Sequence, residues 1–467
     1  VRSRWTKGIT ALAALALVVG ACGSDDGGGS ADDTSAATEA PAEETETTEA
    51  AEPETTEAAE TTEAAETTEA AEPETTEAAE TTEAAEAEGP LGTPNPAEGE
   101  PVTIGVIVES GAGGGSQGGQ TLIAYEMAAN YLNEYAGGLA GHPIEIWECE
   151  NESTPAGAQD CAQQAVEQNV VAVVVPFDCC GDDQVPIVTD AGIPYVVASG
   201  SANSHLTTPG AFSVAGGYVA TLGGVAAHAA EQGFAKVTHI VIDVPSAVSA
   251  ATDIGGLVFA NAGVEYEVVA VAPGTPDMTP QLSAAGDAAL MVTGDLTFCT
   301  SFNQAYATLG LSNQKYQIPT CVDPSVIEAI PDAFDGTYMP TGVVQEGDEV
   351  ELFAGIVEEY GDGSIDPDPF RSGTIAGPLA HLINFARFFE GYEGDITAET
   401  AMEQMRTATD VPLFLSGGAT ATCDGTAIPI LPNVCSTGVL IATLNAEAQP
   451  TEIVAVDLTG LFTPPGG

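Results

Sequence analysis

The sequence predicts an α/β protein of two doubly wound parallel-sheet lobes, carried behind an export signal and an acidic tether. Three observations predict it. Near-continuous Val and Ile runs alternate with amphipathic stretches from residue 102 onward, the pattern of strands covered on both faces by helices. The alternation stops near Gly216–Gly217 and then restarts. The roughly 370 residues that carry it also exceed what one compact core holds.

The order begins with Arg2, Arg4 and Lys7, an apolar stretch from Ile9 to Val19, and then Gly20-Ala21-Cys22. A charged start, a short apolar run and small residues at a cleavage site make an export signal rather than a spanning helix. Residues 1–21 are that signal, and the small-small-Cys ending resembles the lipobox of bacterial lipoproteins. The resemblance implies that Cys22 becomes the lipid-bearing first residue. From Thr45 to Glu88 runs a Thr-Thr-Glu-Ala-Ala-Glu repeat, interrupted by Pro53 and Pro73, with almost nothing apolar larger than Ala. Burial cannot offset chain entropy in such a segment and its like charges extend it, so residues 22–100 are expected to be a disordered tether.

In the folded part, Val102–Val108 is a buried strand, and Gln117–Tyr135 a helix with Ile123, Met127 and Tyr131 four apart. Ile144–Trp147 is a strand, Ala156–Gln168 a helix, and Val170–Val175 and Tyr195–Ala198 further strands. The second series runs helix Tyr218–Gln232, strand Val237–Asp243, helix Ala247–Asn261, strands Tyr266–Val271 and Ala288–Thr293, and helix Thr297–Leu309. Beyond Gly342 come helices Glu351–Tyr360 and Gly377–Phe389, and then a strand pair, Val439–Leu444 with Ile453–Leu458.

Charge narrows the partners. From residue 101 onward only Lys236, Lys315, Arg371, Arg387 and Arg406 are basic, against 44 acidic residues. Phosphate backbones need Lys and Arg, so nucleic acid is excluded. A surface so acidic also points to a salty or acidic habitat. Nine cysteines less Cys22 leave eight, and an even set in an exported chain implies disulfides. Local spacing pairs Cys299 with Cys321 and Cys423 with Cys435; the pairing of Cys149, Cys161, Cys179 and Cys180 stays open. No C-x-x-C occurs and the five His are scattered, so neither a metal nor a cofactor is expected.

The loop after the first strand, Glu109–Gly119, carries two catalytic-looking patterns. Gly113-x-Gly115-x-x-Gly118 fits a dinucleotide fingerprint, but the following acids, Glu148 and Glu150, stand about 30 residues beyond Gly118 rather than the usual 20 or so. Gly114-x-Ser116-x-Gly118 fits a nucleophile elbow, but the Ser lies several residues past the strand. A cleft lined by Gly-exposed backbone N–H groups accounts for both. In open parallel sheets, ligands bind beyond the carboxyl ends of the strands. Those loops hold Ser116, Asp182, Ser199, Ser201, Asn203, Asp295 and Asp323, and none contains Lys or Arg. Neutral donors with carboxylates suit an amino acid, and suit a neutral or cationic molecule nearly as well.

The segments VTIGVIVESG (102–111), QNVVAVVVPFDCC (168–180), DAGIPYVVASGSANS (190–204) and DAALMVTGDLTFCTSFNQAYATLGL (287–311) resemble type I periplasmic binding proteins of the branched-chain amino-acid branch. The resemblance implies two α/β lobes joined by three crossings, residues 101–217 with 343–415 and residues 218–342 with 416–460. It implies no enzyme but a monomeric, lipid-anchored binder on the outer face of the cytoplasmic membrane. Such a binder captures a small molecule, an amino acid or amide, between its lobes and passes it to an ABC permease. It implies that the loop at Ser199–Asn203 holds the ligand carboxylate through backbone N–H and hydroxyls, with Ser201 and Asn203 in that role. Asp323 falls near the acid that meets an ammonium. It also implies a disulfide from Cys149 or Cys161 to Cys179 or Cys180. The family's aromatics fall near Ser116, Val248 and Asp295 and are absent here, which implies a more polar or larger pocket. A sensing domain for a membrane receptor would share the fold; an exported hydrolase would need the elbow at Ser116.

Overall fold

The computed structural model describes residues 89–109, 117–178, 180–372 and 374–464. The expected signal peptide, Cys22, most of the tether, Gly113–Ser116 and Cys179 lie outside them. Among the described residues no helix is long and apolar enough to cross a membrane.

The first sheet is wholly parallel. It is built from β1 (Val102–Val108), α1 (Gln117–Tyr135), β2 (Ile144–Glu150), α2 (Pro155–Gln168), β3 (Ala172–Val175), α3 (Gly181–Asp190), β4 (Tyr195–Val197), α4 (Asn203–Thr207) and β5 (Ala211–Ser213), with strand order β2-β1-β3-β4-β5. Strand side chains alternate between faces. Ile104, Val106 and Val108 therefore join one core with α1, while Ile107 joins the opposite one with Cys161, Ala165 and Val188 of α2 and α3. Each such fully buried aliphatic contributes about 1.5–3 kcal/mol relative to exposure. Local chemistry fixes the ends of α2: Thr154 Oγ1 accepts from Gly157 N at 3.0 Å, Pro155 opens the helix, and Asn169 closes it at φ 55.

The second sheet follows as α5 (Gly217–Glu231), β6 (Lys236–Ile242), α6 (Pro245–Ala250), a π turn, α7 (Gly256–Ala262), β7 (Glu265–Val271), α8 (Thr279–Ala284), β8 (Ala289–Thr293), α9 (Leu296–Leu309), β9 (Lys315–Gln317), α10 (Pro324–Ala329) and β10 (Tyr338–Thr341). The order β7-β6-β8-β9-β10 repeats that of the first sheet. α5 and α7 pack on one face, and α8, α9 and α10 on the other. The chain then returns to the first core through α11 (Asp348–Tyr360), α12 (Ala376–Arg387), α13 (Ala398–Thr407) and the short pair β11 (Val411–Pro412) and β12 (Thr420–Ala421). Finally β13 (Leu440–Leu444) and β14 (Pro450–Ala455) add antiparallel strands beside β10.

Three crossings thus join the sheets, at 214–216, 342–347 and 436–439. The first and third run side by side: Ser213 N donates to Asn433 O at 2.8 Å and Cys435 N to Ser213 O at 2.9 Å. The second is tied by Val344 N to Leu415 O at 2.8 Å.

Several expectations need correction. The tether ends before residue 100: Leu91 packs on the first core, and Asn95 N and Ala97 N donate to Glu134 O and Asn133 O at the end of α1. The first lobe extends past 415, because Ala421, Cys423 and Cys435 pack in its core. The last strand is Pro450–Ala455, not Ile453–Leu458, its start displaced by the tight turn at Asn445–Gln449. Cys149 bonds Cys161 rather than residue 179 or 180, since α2 turns back over β2 and brings the two Cα atoms to 5.6 Å. Cys299–Cys321 and Cys423–Cys435 pair as spacing suggested. Cys180 is also disulfide-bonded.

Candidate ligand-binding site

Strand order 2-1-3-4-5 places a topological switch between β1 and β3, and a second between β6 and β8. On either side of such a switch the following segments leave in opposite directions and open a crevice beyond the strand ends. Glu109 and α1 follow β1, and Asp178, Cys180 and α3 follow β3. Gly118 is required there, because a Cβ at this position would run into Glu109 O.

The strand ends of the first sheet are welded by a buried polar network. Asp178 accepts from Tyr195 OH at 2.6 Å and from His205 Nε2 at 2.8 Å, while Gln184 Nε2 donates to Tyr195 OH at 2.8 Å. Ser201 N and Ala202 N donate to His205 Nδ1 at 3.2 and 3.1 Å. Two donors on Nδ1 leave the proton on Nε2, so the imidazole is a relay between backbone and carboxylate. Burial alone would raise the Asp178 carboxyl, but the adjoining His205 and the bonds from His205, Tyr195 and Gln184 outweigh it and hold it below its usual value. Burial foremost, and Asp178 next, push the Tyr195 hydroxyl well up. Asn433 Nδ2 reaches His205 O at 3.1 Å and Thr208 O at 2.8 Å, coupling this network to the third crossing.

The expected site residues fall as follows. Ser199, half-buried, donates its N–H to Pro176 O at 3.0 Å and lies against Gly217, where a Cβ would approach Ser199 Cα to 2.7 Å. Ser201 is half-buried and Asn203 exposed at the start of α4. Asp182 is exposed and accepts from Ser204 N at 2.8 Å, tying the β3 loop to the β4 loop. These four come together at the ends of β3 and β4. Asp295 and Asp323 belong to the second sheet. Asp295 caps α9 through Phe298 N at 2.8 Å, and Asp323 caps α10 through Ser325 N at 2.8 Å. Ser116 lies outside the described residues. Sequence reasoning missed Asp178, Gln184, Tyr195 and His205. The only available signal was an acid and a His each a few residues beyond neighbouring strands.

In the second sheet, His239 Nδ1 pairs with Tyr266 OH at 2.7 Å and Nε2 with Thr293 Oγ1 at 2.9 Å. Burial lowers this imidazole to about 3, so it is neutral and structural. Among the described residues no group of three or more His, Cys, Asp or Glu converges to hold a metal ion.

The model of the family described as periplasmic binding proteins matches residues 101–431. The chain belongs to the periplasmic binding protein family. Solved structures share its fold at low identity. The leucine-binding protein LivK of Thermotoga maritima is 16% identical with a TM-score of 0.61, covering 76% of this chain and 98% of its own. A fatty acid ABC transporter substrate-binding protein of Thermomonospora curvata is 14% identical with a TM-score of 0.63, covering 80% and 97%. A solute-binding protein of an ABC transporter from Rhodopseudomonas palustris, in complex with 3,4-dihydroxybenzoic acid, is 18% identical with a TM-score of 0.60, covering 77% and 99%. No curated protein matches the sequence. These periplasmic binding folds span ligands from an amino acid to a fatty acid, so the fold names no ligand.

Proposed function

We propose that this periplasmic binding protein captures a small polar solute, an amino acid or amide, between its two lobes and delivers it to the permease of an ABC importer. The observation that carries the reading is the pair of sheets with matching strand order, each with its own switch point, joined through three crossings. That arrangement lets two rigid bodies close on a ligand about a hinge. Similar structures are described as ABC transporter substrate-binding proteins, which supports the same role. Ser199, Ser201, Asn203, Asp182, Asp295, Asp323 and Ser116 line the proposed cleft. Cys22, lipidated, anchors the protein to the outer face of the cytoplasmic membrane as a monomer, and the acidic repeat spaces the lobes from the bilayer. Two acyl chains suffice for stable anchoring where one does not.

The test is a thermal-shift screen of protein stripped of ligand by unfolding and refolding with disulfides intact. Saturable stabilisation by one chemical class is expected, about 2.7 kcal/mol at 100 times the dissociation constant. No shift across amino acids, amides, polyamines and sugars would refute capture of a small polar solute. Radiolabelled palmitate incorporated by the wild type and lost in Cys22→Ala checks the anchor.

A further inference from the structure

The β4 loop is where the resemblance puts a ligand carboxylate, and most of its backbone donors are already engaged. Ala198 N donates to Val175 O and Ser199 N to Pro176 O, both at 3.0 Å. Gly200 N donates to Ser213 Oγ at 3.3 Å. Ser201 N and Ala202 N share His205 Nδ1, and Ser204 N takes Asp182 Oδ1. A bound carboxylate needs two or three such donors or a cation. The cations are elsewhere. Lys236 pairs with Glu265 and Glu267, Lys315 reaches Ala333 O, Arg371 pairs with Asp366, Arg387 with Glu349, and Arg406 lies on α13. Instead the loop stands over one buried carboxylate, Asp178, and beside an exposed one, Asp182.

His205 cannot easily yield its place. Its Nε2 proton is held by Asp178, so Nδ1 is bound to remain an acceptor, and both side chains are fully buried. For a carboxylate to take the Ser201 and Ala202 N–H groups, a buried imidazole nitrogen would have to give up both its donors. What the loop still offers a ligand is side chains: the hydroxyls of Ser199 and Ser201, the amide of Asn203 and the carboxylate of Asp182.

We infer that His205 occupies the carboxylate position of this site, and that the ligand is a neutral or cationic molecule, a carboxamide or an amine, with no free carboxylate at the β4 loop. The inference rests on the proposed function, in that it takes this loop to line the ligand cleft. The experiment has two arms on the refolded protein. Titration calorimetry compares matched pairs that differ only at the head group: leucine with leucinamide, phenylalanine with phenylalaninamide, benzoate with benzamide, and 4-aminobutyrate with putrescine. In any pair that binds, the member without the carboxylate is expected to bind at least tenfold tighter; tighter binding of the carboxylate overturns the inference. The second arm needs no ligand. Long-range ¹H–¹⁵N spectra of ¹⁵N-labelled protein should show His205 as the Nε2–H tautomer, with Ser201 and Ala202 amides slow to exchange. An Nδ1–H tautomer with fast-exchanging amides overturns the inference. If no pair binds while the second arm holds, the carboxamide or amine ligand class fails and the occupied loop stands.

Discussion

Replacing Asp178 with Asn keeps the size of the side chain and removes its charge, and the network around it dictates a large loss. Four donors face Asp178: Cys180 N, Tyr195 OH, His205 Nε2–H and the Gln184 amide. The Tyr195 hydroxyl cannot turn to accept from the new amide without losing its place, because it already accepts from Gln184. His205 cannot switch tautomer, because Nδ1 already faces two N–H groups. The Asn amide nitrogen must therefore meet a donor in a site without water access. Hydrogen bonds to a charged group contribute about 1.5–3 kcal/mol each, and breaking a buried pair at one partner costs about 3–5 kcal/mol. Asp178→Asn should lose about 3–5 kcal/mol in urea unfolding followed by circular dichroism, with the slope m unchanged. Tyr195→Phe, which removes the bond to Asp178 and the acceptor of Gln184, should lose about 1.5–3 kcal/mol. A loss below about 1 kcal/mol for Asp178→Asn would refute the network as the element that positions the β4 loop.

Other outcomes follow from the same structure. His239 and His381 are buried and lowered to about 3, so between pH 6.5 and 3 the unfolded chain binds protons that the folded chain does not. Stability present above pH 6.5 should therefore fall with pH, by at most about 1.4 kcal/mol per unit for each His. Urea midpoints at pH 7, 6 and 5 measure the slope, and a flat profile contradicts it. Gly181→Ala puts a Cβ into the His205 ring and should cost about 1–3 kcal/mol, displacing His205 from Asp178; an unchanged melting temperature would show that the ring has room. Removing Cys299–Cys321, which closes a 22-residue separation, should cost about 3 kcal/mol in Cys299→Ala/Cys321→Ala. A net charge of −61 makes self-repulsion large, so the melting temperature should rise with salt through 1 M.

The fold was legible where burial dominates. VTIGVIV at 102–108 and VVAVVV at 170–175 are apolar on both faces because helices cover both, and that signal survives in a single sequence. The missed elements are short or contain breakers. α3 carries Pro186 inside it, β5, β9 and β10 have three or four residues, and α13 has a largely polar face. Tertiary packing rather than periodicity places these. The site was legible as a set of loops, because strand ends follow from strands. Its chemistry was not. Whether a loop N–H faces a ligand or an imidazole depends on His205, which packs from α4 into a space that Gly181 leaves open. The Cys149 pairing failed for a related reason: the resemblance supplied a partner, and the turn of α2 over β2 supplied a nearer one.

The central claim is that two rigid lobes close on a solute. Small-angle X-ray scattering of the stripped, refolded protein, alone and saturated with whichever compound gives the largest thermal shift, tests it most directly. The account predicts a smaller radius of gyration in the bound state, reversed on removing the ligand. Saturated binding with superimposable scattering curves would contradict closure.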